Sequence, residues 1–372
     1  FAFARALIRV ADNLAYEEAQ ARADAGTDPR LEALWGCWRA LDAARAARHP
    51  LELDLPEPRV VLDAAGNVAE VRMRARLDAH RVIEEMMIAA NVAAARQLEA
   101  KKAPVMYRDH EPPSREKLVA LKDYLETFGI PLALGQVVTP ALFNRVLERA
   151  KGHAHAQAIA EQVLRTQSQA YYAPANAGHF GLSLGSYAHF TSPIRRYADL
   201  VVHRSLVSAL GLGERGLPPD MGPRLRAIGE HLSMTERRAM EAERDTLARY
   251  IAAHLARREG ETVRARVTGV QKFGLFLTVE GLGGDGLLPV SALGEGRFWF
   301  DEAARALESE TDGRRHAVGD LLEVVIASAD PATGGVLFAL PGVAPAPGRA
   351  RRPPPRKGMP PRRARPAGRR RA

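Results

Sequence analysis

Residues 1–77 alternate between helical and strand-like patterns of hydrophobic and polar positions. The stretch that begins ARALIRV at residue 4 predicts an edge strand, followed by a turn at Asp12 or Asn13 and a helix that begins at Tyr16. Leu and Trp residues then recur at helical spacing, which predicts an amphipathic helix over residues 28–49. From residue 51 to 77 the pattern alternates around a Gly-Asn turn at 66–67, and this predicts a β-hairpin or meander. The helical stripe consists of Leu31, Leu34, Trp35, Trp38 and Leu41.

Helical patterns dominate residues 78–170. Asp78 can cap a long helix, and Glu84 and Glu85 lie off its apolar stripe. Because adjacent helical positions point about 100° apart, one of these acids can face a groove while the other meets solvent. A short strand is expected at residues 104–108. Further helices are expected at 114–128, 139–150, 153–170 and, beyond this region, 222–259.

The stretch 179–204 carries more chemically specialised residues than any other segment of its length. Ser192 can cap a helix and Pro193 can occupy its first turn, which would place Arg195 and Arg196 in that turn. A helix N-terminus attracts anions through its free N–H groups, and two guanidiniums beside it would form a phosphate cradle. The alternative is a structural ion pair between Arg195 and Asp199 on a solvated helix face. The local pattern leaves both interpretations open.

A second unit is expected to begin near residue 260. About five short strands separated by glycines, with a polar insertion, are typical of a small OB-type barrel. Phe273 and Phe276 alternate with a glycine and a leucine in this segment. Exposed aromatic side chains at this spacing can stack unpaired bases, each worth about 1–3 kcal/mol. We expect one of the two rings to be buried in the barrel instead.

The net charge of +9 is concentrated at the C-terminal end. Residues 349–371 contain 11 Lys or Arg and no Asp or Glu, whereas the other 42 Lys and Arg residues stand against 44 Asp and Glu residues. A Pro/Arg/Gly segment cannot bury a core, so residues 342–372 predict a disordered tail that seeks polyanions, with a merely solubilising role as the alternative.

The remaining composition narrows the class of protein. No run is long enough for a membrane span, no signal peptide opens the chain, and Cys37 has no disulfide partner, which fits a reducing cytoplasm. We expect Cys37 to be a core residue beside Trp35 and Trp38. Because the chain begins without Met or a helix cap, we interpret it as a fragment.

The 179–204 stretch resembles the signature of the ribonuclease II/R superfamily. The match runs through His179-Phe180-Gly181-Leu182 and continues from Tyr187 to Tyr197, Asp199 and His203, with supporting stretches around Tyr16, Glu84 and residues 242–245. The resemblance implies an α+β fold, namely the C-terminal part of an RNB catalytic domain at residues 1–258. It further implies an S1-type OB-fold RNA-binding barrel at 259–341, followed by the disordered basic tail at 342–372.

The resemblance also implies a function and roles for individual residues. The family consists of Mg²⁺-dependent, processive 3′→5′ exoribonucleases that release nucleoside 5′-monophosphates from single-stranded RNA. Arg195 would stabilise charge on the scissile phosphate, and Glu243 would act near the active site. Tyr16 and Glu84 would meet the ribose near the 3′ end, where a carboxylate can accept from a 2′-OH. Further RNA contacts are expected from Arg196, Tyr197, Phe273 and Phe276.

One departure from the family pattern affects activity. The family holds its metal ions with an Asp-rich motif upstream of the position of Tyr16, and this chain has no such cluster. We therefore expect the Mg²⁺ ligands to lie upstream of Phe1, and this polypeptide to bind RNA without cutting it. The alternative is a non-catalytic RNA-binding protein built on a degenerate nuclease scaffold. Expected partners are single-stranded RNA, structured RNA with a 3′ overhang and, through the tail, ribosomes. The chain is expected to be a cytoplasmic monomer that does not bind membranes.

Overall fold

A computed structural model describes residues 1–55, 57–73, 75–135, 137–294, 296–302 and 305–343. Residues 1–15 contain neither helix nor strand, so the predicted edge strand is wrong. This segment is held at isolated points: the Phe3 ring packs edge-on against Phe190 at 5.6 Å between centroids, and Arg5 donates to the carbonyl of Glu214 at 2.6 Å. Leu7, Ile8 and Val10 are exposed. With no described strand beside it, the alternating pattern alone does not form a ladder.

The next elements follow the predicted order. Helix α1 spans Tyr16–Asp24 and helix α2 spans Pro29–Arg48, where Asp28 caps α2 by accepting from the Arg30 N–H at 3.0 Å. Strands β1 (Pro58–Leu62) and β2 (Val68–Met73) form the predicted antiparallel hairpin. Cys37, however, lies on the exposed side of α2, so its prediction as a core residue is wrong.

Helix α3 (Asp78–Ala100) organises the part of the chain before the barrel, because α1, α2 and a later helix all pack against it. Its apolar face buries Val82, Ala94, Ala95 and Leu98 almost completely. The N-cap is Leu77 rather than the predicted Asp78, which is the first helical residue.

Short strands and helices complete this part. Strand β3 (Tyr107–Asp109) pairs antiparallel with β4 (Tyr171–Ala173), and three helices connect them. These are α4 (Arg115–Glu126), α5 (Pro140–Ala150) and α6 (Ala156–Thr166). The predicted helix at 153–170 is therefore shorter at both ends.

Two helices follow β4. Helix α7 spans Tyr197–Leu210. Helix α8 spans Met221–Ala256, where the charged pattern predicts a helix. Helix α8 packs at its two ends and leaves its middle exposed. At Gly229 a Cβ atom would lie 2.4 Å from the Tyr172 carbonyl oxygen, so only glycine permits this helix to approach β4 so closely. At the other end Ile251 and Leu255 are buried in the core that also contains the barrel.

The predicted barrel forms at the end of the described chain. Strands β5 (Thr262–Gln271), β6 (Gly274–Val279), β7 (Asp285–Pro289), β11 (Leu321–Asp330) and β12 (Gly335–Ala339) close in the order β11-β12-β7-β6-β5. The polar insertion forms a separate sheet of β8 (Phe298–Asp301), β9 (Ala306–Ser309) and β10 (Arg315–Ala317). The residue boundaries of the domains stay predictions, and most of the tail prediction, at 344–372, lies outside the described residues.

Candidate RNA-binding and phosphate-contacting site

The loop before α7 is held by a buried carboxylate. Asp199 is fully buried and accepts from the backbone N–H of Ser192 at 2.7 Å. The same carboxylate accepts two bonds from the guanidinium of Arg196, from Nε at 2.7 Å and from Nη2 at 2.9 Å. This fork–fork geometry is the strong form of an Arg–carboxylate pair. Asp199 therefore ties both ends of the loop 192–196 together.

This geometry corrects two predictions. Helix α7 begins at Tyr197, so Arg195 and Arg196 precede the helix instead of lying in its first turn. The structural ion pair to Asp199 exists, but Arg196 makes it rather than Arg195. Arg196 is thus engaged within the fold, and its RNA contact stays a prediction.

Arg195 is the cation that this loop presents to solvent. Its side chain is exposed, between the fully exposed Ile194 and the engaged Arg196, and it makes no hydrogen bond or ion pair with any residue that the structure describes. Tyr197, the first residue of α7, is partly exposed beside it. A guanidinium without an internal partner, on a loop whose base is locked, is available to an incoming phosphate.

Asn91 of α3 supports the segment that leads into this loop. Its Oδ1 accepts from the Phe190 N–H at 2.8 Å, and its Nδ2 donates to the Tyr187 hydroxyl at 3.0 Å. The His203 ring stacks on Phe190 at 4.3 Å between centroids and bonds the Phe190 carbonyl at 2.8 Å. Asn91 received no role from the sequence alone, although an amide among the apolar positions of α3 was a signal for it.

The HFGL segment has a structural role behind the same loop. His110 accepts from the Gly181 N–H through Nδ1 at 2.9 Å and bonds the Ser168 carbonyl through Nε2 at 2.9 Å. A Cβ at Gly181 would lie 2.9 Å from that Nδ1, so the position requires glycine. Burial lowers the pKa of His179 to about 3, and its ring is therefore neutral at physiological pH.

A second cluster lies at the beginning of α3. The Tyr16 ring stacks on His80 at 4.1 Å between centroids, and His80 and Glu84 share one face of α3 at a spacing of four residues. Glu84 Oε2 accepts from Arg76 Nη2 at 2.9 Å. Tyr16 and Glu84, the two residues expected at the ribose, are thus each paired with a residue that the sequence did not indicate, His80 and Arg76, and both of these partners line one cavity.

The neighbouring acid has a different role. Glu85 is buried and faces Arg45 Nε at 3.0 Å and Arg48 Nη2 at 3.6 Å, which attaches α2 to α3. The two adjacent acids thus have different surroundings, as their 100° separation on the helix allows: Glu85 is buried against α2, and Glu84 is partly exposed beside Arg76. Burial nevertheless raises the pKa of Glu85, because desolvation outweighs its two arginines.

A cavity of about 650 Å³ adjoins this second cluster. Its wall is apolar at Leu53, Leu55 and Leu164, and polar at Asp54, Glu57, Arg76 and His80. Ligand sites of this size with a few convergent polar groups accommodate nucleotide-sized molecules. Helix α3 connects the cavity with the Arg195 loop, because Asn91 follows Glu84 by seven residues, or about 10 Å along the helix axis.

Two other candidate regions lie outside this pair of clusters. Phe273 and Phe276 meet edge-to-face at 5.9 Å on the barrel and are 54% and 42% exposed, so the expectation that one is buried is wrong. Both rings are thus about half exposed on the barrel surface. Glu243 lies exposed in the middle of α8, and no contact in the described structure joins it to Arg195 or Glu84.

The described residues do not fit a Mg²⁺ site. No three His, Cys, Asp or Glu side chains among them come together in a way that could hold a metal ion. Asp54 faces Arg76 at 3.6 Å, and Glu111 accepts from the Tyr171 hydroxyl at 2.5 Å. Asp109 is buried, where desolvation raises its pKa to about 6. These acids are separately engaged, so none of the chemistry below is assigned to a metal held by them.

Comparison with known proteins decides the family. The model of the RNB domain matches residues 1–211. The chain belongs to the RNB family, the family of ribonucleases II and R. This match includes both the Tyr16–His80–Arg76–Glu84 cluster and the Arg195 loop. The barrel after α8 fits the S1-type OB fold expected to follow an RNB domain.

Curated relatives of this RNB chain include ribonuclease R from several bacteria. It is 35% identical over 302 residues to ribonuclease R of Escherichia coli, covering 79% of this chain and 37% of that protein. It is 37% identical over 306 residues to ribonuclease R of Aquifex aeolicus, covering 82% of this chain and 43% of that protein. The chain therefore spans less than half the length of these relatives.

Solved RNB structures share the fold. The apo form of Mycoplasma genitalium RNase R superposes with a TM-score of 0.82 at 23% identity, covering 87% of this chain and 52% of that one. Yeast Ssd1, a pseudonuclease, superposes with a TM-score of 0.59 at 20% identity, over 80% and 37% of the two chains. Since a nuclease and a pseudonuclease both have this fold, function must be argued from the side chains.

Within the described residues no helix is both long and apolar enough to cross a membrane.

Proposed function

We propose that this chain holds the 3′ end of single-stranded RNA and contacts its scissile phosphate in a cytoplasmic 3′→5′ exoribonuclease of the ribonuclease R type. The observation that carries the proposal is the exposed Arg195 guanidinium, which has no partner among the described residues on a loop locked by Asp199. Arg196, by contrast, has its partner within the fold.

Each cluster contributes a separate step. Arg195 binds the phosphate and stabilises the charge that develops on it in the transition state. This stabilisation is largest when the guanidinium is already in position before the reaction. Glu84 accepts from a ribose 2′-OH, which distinguishes RNA from DNA. Phe273 and Phe276 stack bases of the strand that leads to the site. The metal chemistry of the family has no ligands among the described residues, so these residues bind, orient and stabilise charge.

Relatives indicate the class of substrate. Mycoplasma genitalium RNase R is known in complex with ribose-methylated single-stranded RNA and with double-stranded RNA. We propose single-stranded RNA, and structured RNA with a 3′ overhang, as substrates here. Ribosome association through the basic tail and a monomeric state belong to the same proposal.

The test is directional degradation by the complete encoded protein. RNA labelled at its 5′ end should shorten progressively from the 3′ end, with release of nucleoside 5′-monophosphates in the presence of Mg²⁺. RNA whose 3′ end is covalently blocked serves as the control. RNA binding without any such release would favour the non-catalytic scaffold instead.

A further inference from the structure

Arg76 lies between two carboxylates at the edge of the 650 Å³ cavity. Its Nη2 is 2.9 Å from Glu84 Oε2, and its Nη1 is 3.6 Å from Asp54 Oδ1. Arg76 and Glu84 are both partly exposed, at 39% and 44% of their side-chain surfaces. An exposed pair of this kind adds little to stability. Its value must therefore be sought in what it does to the geometry of Glu84.

We propose that Arg76 determines the sugar specificity of this site by orienting the Glu84 carboxylate. The inference rests on the proposed function, in which Glu84 accepts from a ribose 2′-OH. A carboxylate has lone pairs on both oxygens. Arg76 engages Oε2, and Oε1 makes no hydrogen bond with any residue that the structure describes. The planar guanidinium thus fixes the carboxylate and leaves one oxygen directed to the ligand.

The surroundings favour this role. An exposed Glu otherwise samples several rotamers, and ordering its side chain on binding costs about 1–2 kcal/mol. The pair with Arg76 supplies this order before RNA arrives. One turn before Glu84, His80 is fixed in the same way, because its Nδ1 accepts from the Leu77 N–H at 3.1 Å and its ring stacks on Tyr16. The stacking surface and the carboxylate are therefore both set before the nucleotide binds.

Asp54 is the second carboxylate that Arg76 faces. It is 74% exposed and faces the second amino group of the same guanidinium. Arg76 has donors for both carboxylates, and Glu84 is the closer partner, at 2.9 Å against 3.6 Å. Arg76 also lines the cavity as its only Lys or Arg among the described lining residues. Its loss would remove the guanidinium that Asp54 and Glu84 both face in the described structure.

The experiment compares sugar preference, not affinity alone. Binding of this chain to a fluorescent single-stranded RNA is measured in EDTA by anisotropy, with the 3′-terminal nucleotides either ribose or 2′-deoxyribose. Arg76→Gln should lower the ribose preference about tenfold, the loss expected when one hydrogen bond to a charged group is misplaced. Glu84→Gln should do the same, and the double variant should lose no more than either single variant. Arg76→Lys should restore the preference in part, since it keeps the charge without the fork.

Arg72→Gln is the matched control, because it removes the same charge from an exposed position on β2. It should lower affinity for both oligonucleotides equally and leave their ratio unchanged. An unchanged ratio in folded Arg76→Gln or Arg76→Lys protein, with the ratio lost in Glu84→Gln, would overturn the inference and leave the proposed function intact. Failure of the wild-type chain to bind either oligonucleotide would instead overturn the proposed function.

Discussion

Replacing Asp199 by Asn should release the Arg195 loop. The carboxylate accepts from Ser192 N and from two nitrogens of Arg196, all within 2.9 Å. An amide can keep the bonds to Oδ1, but its NH₂ group would then face Arg196 Nε, which is also a donor. One charge-assisted bond, worth about 1.5–3 kcal/mol, is replaced by a donor–donor contact.

The total effect is larger because the guanidinium stays in place. The side chain of Arg196 is only 17% exposed, and removing one member of a buried ion pair typically costs about 3–5 kcal/mol. With about 2–4 °C of Tm per kcal/mol for a domain of roughly 150–250 residues, the expected loss is about 6–20 °C. RNA affinity should fall as well, because Arg195 is no longer held in place.

Thermal unfolding followed by circular dichroism, together with RNA binding below the transition, measures both effects. Asp42→Asn is the matched control, since Asp42 is exposed on α2 and its substitution should leave Tm unchanged. A Tm of Asp199→Asn within about 1 °C of wild type would refute the argument that this carboxylate locks the loop.

Three further predictions concern other parts of the chain. Burial raises the pKa of Asp109 from 3.8 to about 6, so the native state retains a proton that the unfolded chain releases first, and stability falls as pH rises from about 4 to 6. Asp109→Asn removes this loss, so urea unfolding should give the variant a free energy of unfolding about 3 kcal/mol above wild type at pH 8 and almost equal to it at pH 4. An equal gain in stability at both pH values would contradict the argument. Phe273→Ala and Phe276→Ala should each weaken single-stranded RNA binding by about 1–3 kcal/mol without lowering Tm, because both rings are exposed; a large loss of Tm would show that they are core residues. Deleting the basic tail from residue 342 onward should flatten the dependence of RNA affinity on salt, and an unchanged slope would assign the tail another role.

Local patterns predicted the elements well where local chemistry determines them. Asp28 caps α2, Thr139-Pro140 begins α5, and the glycine-separated runs after 260 form the barrel. The errors occurred where a distant or buried partner decides. Residues 1–15 have a strand pattern without a paired strand, and the helix start at Ser192 is displaced because Asp199 takes the Ser192 N–H into a loop.

In the candidate site, too, the sequence indicated some residues, and only tertiary contacts revealed the others. The sequence indicated Tyr16, Glu84 and Arg195 through the family signature, and the structure places the partners of the first two, His80 and Arg76, in the wall of one cavity. Arg76, His80 and Asn91 were missed, because their roles arise from tertiary contacts: a stack across two helices, an ion pair from the end of the hairpin and an amide that reaches the Phe190 backbone. Spacing identifies residues on one face, but it does not show what that face meets.

The most direct test of the account is the effect of Arg195→Ala on turnover and on binding, measured separately in the complete encoded protein. Single-turnover degradation of 5′-labelled single-stranded RNA should slow by about 100–1,000-fold, while the affinity for the same RNA in EDTA changes only a few-fold. Arg96→Ala, at an exposed position of α3, should change neither. Equal losses in turnover and affinity would show that Arg195 only holds RNA, and would contradict its role at the scissile phosphate.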